Sequence, residues 1–325
     1  MRETARAWAP PTVPSWRATS IVLGWAIGLI AACVALAGPA GAPVAVGGFS
    51  FGAMGLAARP GPARAASMAF GALAVLAALV VPAVAPLVLM ALLVGLALEV
   101  DRHGSLRLLL GVFAAVTAHV GVGLGGAAAP LAVCFLGGLV AGAAAIRTAG
   151  LAGLVPPLPP DQRRGTEVAV LLGIGLVMAA GTAALLPGPR AYWVAYIFVM
   201  RAALPLHRQR AGAYRYAKGA IIGVALALGI ELVQMPEAVR LALALALAGL
   251  SLRYILHPAP VSAAALTAAV LLAGAPTPVE AMWRLAAIGL AVGIVVIATI
   301  LLDRIWHRVV RRAADPAPGG SGGDG

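Results

Sequence analysis

Apolar runs of about 17–25 residues, the length that crosses a hydrocarbon core, recur along this whole chain. Nothing else in the sequence limits the fold so severely. A bilayer interior offers no water to a backbone N–H or C=O, so each run is expected to close its hydrogen bonds within its own helix. Composition agrees: 62% of the 325 residues are hydrophobic and 10% are charged, where a soluble domain carries about 25% charged residues. The chain therefore reads as an all-α, polytopic transmembrane helix bundle of about twelve helices.

The spans fall at 20–37, 42–58, 66–82, 84–100, 105–123, 128–146, 167–186, 191–203, 216–234, 237–253, 258–275 and 282–302. The connections between them alternate in character. Gly38–Pro43, Val81–Pro86 and Gly121–Pro130 are short, uncharged and rich in Gly and Pro. Arg59–Arg64, Arg102–Arg107, Arg147–Arg164, Arg201–Lys218 and Arg304–Arg312 are basic. The chain has 23 Lys and Arg, 11 Asp and Glu, and a net charge of +12. With both termini in the cytoplasm, every Lys and Arg except Arg190, Arg240 and Arg284 lies on the cytoplasmic side, as the positive-inside rule requires. This predicts a multi-pass protein of the cell (inner) membrane whose first partner is the lipid bilayer. Basic residues cluster in the loops expected to stay in the cytoplasm, which accounts for the net positive charge, so a nucleic-acid partner is not expected. Arg2, Arg6 and Arg17 before the first run, with a small-residue segment after it, resemble a signal peptide. The run has a counterpart later in the chain and is expected to stay.

The sequence also repeats. Ile27-Gly28-Leu29-Ile30-Ala31-Ala32 resembles Ile174-Gly175-Leu176-Val177-Met178-Ala179, and Gly138-x-x-x-Gly142 resembles Gly289-x-x-x-Gly293. Arg64 before the third span matches Arg215 before the ninth. Such periodicity points to two copies of one unit. Because six spans is an even number, the copies face the same way, as parallel repeats about an axis along the membrane normal. The expected organisation is a cytoplasmic segment 1–19, a first six-helix repeat 20–146, a cytoplasmic linker 147–166, a second repeat 167–302 and a basic, disordered tail 303–325. Gly24/Gly28, Gly138/Gly142, Gly219/Gly223 and Gly289/Gly293 each place two glycines on one helix face and predict close helix approach. Cys33 and Cys134 lie inside apolar runs and read as small buried hydrophobes.

The second and eighth spans carry the candidate site. The eighth is short, and the second contains Gly47-Gly48-Phe49-Ser50-Phe51-Gly52, poor helix material. Short or Gly-interrupted segments at matching places in two repeats point to a translocation site. Phe49, Ser50 and Phe51 from the second span, and Tyr192, Trp193, Tyr196 and Phe198 from the eighth, are the candidate substrate contacts. Tyr192 and Trp193 also suit an interfacial aromatic belt. Arg201, Arg215 and Lys218 would form a basic inner mouth that concentrates anions. They equally satisfy topology alone. His119 and Glu231 lie within spans and are proton-relay candidates. Glu99 and Glu167 lie near the cytoplasmic end. No Walker loop, nucleophile elbow, dinucleotide fingerprint or metal-ligand spacing is present, so neither enzyme chemistry, nor a cofactor, nor a metal is expected.

Tyr192-Trp193 opening a short span, Arg208 and Arg215 in a basic loop, Gly219-Ala220-Ile221-Ile222-Gly223, Arg253-Tyr254 and Arg284-Leu285 together form a pattern. From about Tyr192 to Arg304 the chain resembles the fusaric acid resistance (FUSC)-like, aromatic acid exporter family. Ala220 stands where that family usually has Thr. The resemblance implies export of small organic anions, aromatic carboxylates in particular, with a related branch that forms passive anion channels. Proton coupling, homo-oligomerisation and a non-transporting scaffold role all remain compatible with the sequence. The topology is directly testable. Single cysteines at Gly188 and Gln209 should react with an impermeant thiol reagent from opposite sides of the membrane, and labelling from one side would refute the twelve-span arrangement.

Overall fold

The computed structural model describes residues 13–61, 63–158, 164–183, 185–186, 192–202, 206–254, 260–274 and 277–314, with only the backbone described at 183, 200–202, 206–210 and 305–314. Its helices are α1 (Trp16–Ala37), α2 (Gly41–Ala57), α3 (Arg64–Val80), α4 (Ala85–His103), α5 (Arg107–Gly123), α6 (Ala128–Thr148), α7 (Gly165–Ala183), α8 (Trp193–Ala202), α9 (Leu206–Glu231), α10 (Glu237–Arg253), α11 (Val261–Ala273) and α12 (Pro278–Ala314). The protein is an all-α bundle. Among the described residues, six stretches are long and apolar enough to cross a membrane: Trp16–Ala57, Pro82–His103, Ala128–Thr148, Gly165–Thr182, Ala211–Glu231 and Pro278–Arg304. Large apolar side chains such as Leu73, Leu87, Val140 and Val177 stand exposed on the outside of the bundle. Water would penalise such a surface, whereas lipid accepts it.

Local signals explain several boundaries. Ser15 caps α1: its Oγ accepts from the Ala18 amide at 3.2 Å, so the helix begins before the span read from hydropathy. At the other end of α1, Gly38 adopts φ 63°, a left-handed value that a Cβ disfavours. The 42 helical residues of Trp16–Ala57 would otherwise extend about 63 Å, twice a hydrocarbon core. The turn at Gly38 folds them into an antiparallel pair, α1 and α2. Gly104, with φ 62°, closes α4. α12 continues past the expected end of its span through Ala314, so the first part of the segment expected to be a disordered tail is helical. The tail from 315 onward lies outside the described residues.

α2 is the hub. It lies against α1, α3, α5 and α6. Its glycines were expected to break the helix, yet α2 is continuous from Gly41 to Ala57. They permit close approach instead. A Cβ on Gly48 would strike the Phe135 carbonyl of α6, and one on Gly52 the Leu139 carbonyl. Reciprocally, a Cβ on Gly138 would come within 2.6 Å of the Ala45 oxygen, and one on Gly142 would meet the Phe49 oxygen. Two backbones thus meet with no side chain between them, which maximises dispersion contact where lipid supplies no hydrophobic drive. Gly47 is filled by Thr117 of α5.

The other glycine pairs divide. Gly219 and Gly223 of α9 press against the Pro260 and Ala264 carbonyls beside α11, so this pair packs as expected. Gly24, Gly28, Gly289 and Gly293 have nothing within 4 Å of an added Cβ. The correspondence between Gly138/Gly142 and Gly289/Gly293 is therefore one of sequence and not of contact. α10 and α11 are held by a polar clasp. Ser251 Oγ donates to the Ser262 carbonyl at 2.9 Å, and Ser262 Oγ donates to the Ser251 carbonyl at 3.0 Å.

Many helix pairings recur at both ends of the chain, although the extensive α2–α5 and α3–α4 contacts of the first half have no comparable α8–α11 and α9–α10 counterparts among the described residues. The contacts α1–α2, α1–α6, α2–α6, α3–α5, α3–α6 and α4–α5 are matched by α7–α8, α7–α12, α8–α12, α9–α11, α9–α12 and α10–α11. Between the two sets, α4 lies against α7, α1 against α10 and α5 against α8.

At the Arg-rich end, Glu99 and Arg107 are each 3% exposed and pair at 3.3 Å. Glu99 Oε2 also accepts from the Leu108 amide at 2.9 Å, capping α5. The Arg107 Nη2 donates to the Arg59 carbonyl at 2.6 Å, fixing the α2–α3 turn. The linker then straps this end. Gly153 N donates to Leu56 O, Val155 N to Ala57 O, Arg59 N to Val155 O and Leu158 N to Gly104 O.

Two outcomes follow. Gly52→Leu should destabilise the bundle by at least the roughly 1–3 kcal/mol of overpacking, because carbonyl and not side chain blocks the way, while Gly289→Ala should leave thermal stability of the purified protein unchanged. Arg107→Met alone should cost about 3–5 kcal/mol by stranding Glu99, and Glu99→Leu in the same chain should recover much of it, as denaturation midpoints would show.

Candidate functional site

The second-span candidates disperse. Phe51 is fully buried, its ring against Gly71 of α3 and 3.7 Å from an added Cβ on Gly111 of α5. Phe49 points the other way along α2 and packs in a separate cluster with Val22, Ala145 and Ile146. Ser50 is half-buried. The alternation follows from helical geometry, since consecutive residues lie about 100° apart on the surface.

The eighth-span candidates converge. α8 is 10 residues long, about 15 Å of rise. Its residues Trp193 and Tyr196 lie on successive turns, and Tyr192 just precedes them. Tyr196 reaches across to α5, its ring 4.8 Å from that of Phe113 at an interplanar angle of 59°. This tilted pair joins a residue from the first six helices to one from the last six. Trp193 lies on the other flank, with the Arg284 guanidinium of α12 5.1 Å from its ring centroid. Tyr192, Tyr216 and Arg284 stand within electrostatic reach of Tyr196. Phe198 is 0% exposed and its ring covers Gly175 of α7. It therefore faces the interior of its own half, and the structure does not bring it to Phe49.

The charged candidates also separate. Arg215 and Lys218 are exposed on α9. Arg201 belongs to α8, but its side chain lies outside the described residues. His119 stands on the exposed face of α5. Glu231 is the last residue of α9 and approaches Arg240 at 4.0 Å. Neither relay candidate borders the Phe113–Tyr196 pair. Glu167 is buried and pairs with Arg164 at 3.1 Å. Cys33 and Cys134 are both buried and free.

Phe113 and Arg284 complete the cluster and are not evident from the aromatic pattern of the second and eighth spans. For Arg284 a signal existed: it lies seven positions into α12, at the head of the uncharged stretch 285–302, where an ionisable residue carries a functional expectation. Phe113 had none, because a lone Phe in an apolar helix is indistinguishable from core. A groove of about 560 Å³, lined by residues including Gly24, Trp25, Gly28 and Ala141, opens along α1 and α6. It lies away from the aromatic cluster. Comparison with known protein families, characterised proteins and solved structures finds no match for the chain.

The site is thus a contact of α5, α8 and α12 rich in aromatic faces, with one guanidinium, inside a membrane-spanning bundle. It contains surfaces that can stack on a flat solute and a charge that can orient an anion.

Proposed function

We propose that the protein is a membrane transporter, and not an enzyme, that exports small organic anions, aromatic carboxylates among them, along the seam between two six-helix units at 20–146 and 167–302. In this reading the units are parallel repeats, both termini lie in the cytoplasm, and the Arg-rich end is the inner mouth. The recurring helix pairs support the repeat. So does one exchange of contacts between units: adding six to both members of α1–α10 and counting around the twelve gives α7–α4, which is also seen, whereas α5–α8 has no comparable counterpart among the described residues. A twofold axis along the membrane normal produces that exchange. The resemblance to FUSC-like exporters supports the solute class.

The observation that carries the reading is the Phe113–Tyr196 contact. It pairs an aromatic ring of α5 with one of α8, and in this reading that is the boundary of the two units, where repeat-built transporters hold their substrates. With the rings in contact, the seam is closed. Passage then requires the units to part, which is the rocking motion of alternating access. The passive-channel reading is favoured by one specific finding. His119 is exposed and Glu231 sits at a helix end near Arg240, so neither borders the seam to couple a proton.

Proteoliposomes loaded with benzoate test the proposal. Saturable efflux is expected, weakened at least tenfold by Tyr196→Ala and retained by Tyr196→Phe, which keeps the ring. Acceleration by an imposed pH gradient identifies proton coupling, and its absence identifies passive conduction. Arg201→Gln should slow efflux most at low salt, where screening is weakest. No flux of any organic anion from correctly inserted protein would overturn the proposal and leave a scaffold role.

A further inference from the structure

Arg284 is 6% exposed within a bundle read as membrane-embedded. The buried Arg107 at the Arg-rich end has Glu99 for one terminal nitrogen and the Arg59 carbonyl for the other. Arg284 is not answered in this way. Its Nε is buried without a hydrogen-bond partner, as are those of Arg107, Arg240 and Arg253. Unlike Arg107 and Arg240, it has no carboxylate paired with it among the described residues. Unlike Arg253, which lies over Trp16 but is only half-buried, it is deeply buried. What it has is an aromatic face, Trp193, at 5.1 Å. A cation–π contact is worth about 0.5–2 kcal/mol, well short of the several kcal/mol that taking a guanidinium out of water costs. Arginine cannot escape this cost by losing its proton. A lone buried guanidinium is therefore an incomplete arrangement, and an anion completes it.

The surroundings define which anion. Trp193 occupies one face of the guanidinium, leaving its N–H edge as the binding element. That edge presents parallel donors that match the two oxygens of a carboxylate. The rings nearby are those of Tyr196 and, tilted against it, Phe113. These favour a flat apolar body attached to the charge. Arg284 stands six residues from the start of α12, about 9 Å along its axis, toward the charge-poor end of the bundle.

We propose that Arg284, backed by Trp193 and Tyr196, is a carboxylate-binding site for a small planar organic acid, placed near the charge-poor end of the seam. This rests on the transport reading for its purpose but not for its existence, since the buried charge calls for a counter-anion whether or not the anion moves. The opposite, Arg-rich end then attracts anions by its summed field, while this end holds one by direct contact.

The test uses purified full-length protein in dodecyl maltoside without added anionic lipid, with sodium benzoate as probe and benzyl alcohol as its uncharged counterpart. Calorimetric titration should show saturable benzoate binding and no comparable binding of benzyl alcohol. Arg284→Gln should weaken benzoate at least tenfold, while Arg147→Gln, an exposed arginine at the end of α6, leaves it unchanged. In wild-type protein, benzoate should slow phenylglyoxal modification of Arg284, mapped by mass spectrometry, and not that of Arg147. This second measurement stands even where Arg284→Gln fails to fold. Benzoate binding equally to the variant and giving no protection overturns the site. So does a wild-type protein that binds no benzoate. Benzoate binding lost in Arg284→Gln, with no flux in proteoliposomes, upholds the site and sinks the transport reading instead.

Discussion

The contact of α2 with α6 governs the arrangement of the first half. Gly48 and Gly52 on one helix and Gly138 and Gly142 on the other remove every side chain from the crossing, so the backbones touch. In lipid, helices gain little from hiding apolar surface, and fit decides which of them associate. Once α2 is fixed on α6, its remaining faces are assigned. Gly47 receives Thr117 of α5, Gly55 receives Met68 of α3, and Phe51 fills the space beside Gly71 and Gly111. The position of α5 follows from this, and with it the place where Phe113 emerges to meet Tyr196 of α8. A sequence motif at one helix crossing thus determines a side-chain contact two helices away.

The protein treats its buried charges in two ways. Glu99 and Arg107 form a pair in which both carboxylate oxygens and both terminal guanidinium nitrogens are engaged, one residue capping α5 and the other holding the α2–α3 turn. Such a pair contributes order more than stability, because desolvation offsets most of its attraction. Arg284 receives only an aromatic face. The contrast within one molecule is informative, since the chain demonstrably can satisfy an arginine with its own groups where structure is the only requirement.

Much of the fold was legible because the bilayer makes hydropathy nearly decisive. Each apolar run read from the sequence contains a helix, and the buried cysteines lie where apolar context put them. The ends were less legible. Ser15 extends α1 backward through a capping bond, and α12 runs on through polar residues to Ala314, because neither capping nor continuation depends on hydropathy. The glycines of α2 misled for a related reason. Glycine weakens an isolated helix, but here the close approach it permits outweighs that cost. The site was half legible. Trp193 and Tyr196 stand out in a chain poor in aromatics, whereas their partners come from α5 and α12, and only tertiary structure supplies them. The bridge between Ala58 and Val155 had no local signal at all.

One polar contact links the two halves directly. The first amide of α7, at Gly165, donates at 2.6 Å to the carboxylate of Asp101 at the end of α4. A helix start ordinarily finds such an acceptor in the residue just before it. Here the acceptor lies 64 residues upstream. Chains emerge from the ribosome from the N-terminus onward, and earlier units fold first. The acceptor for the first amide of α7 is therefore already made when Gly165 is, and α7 begins against the end of α4.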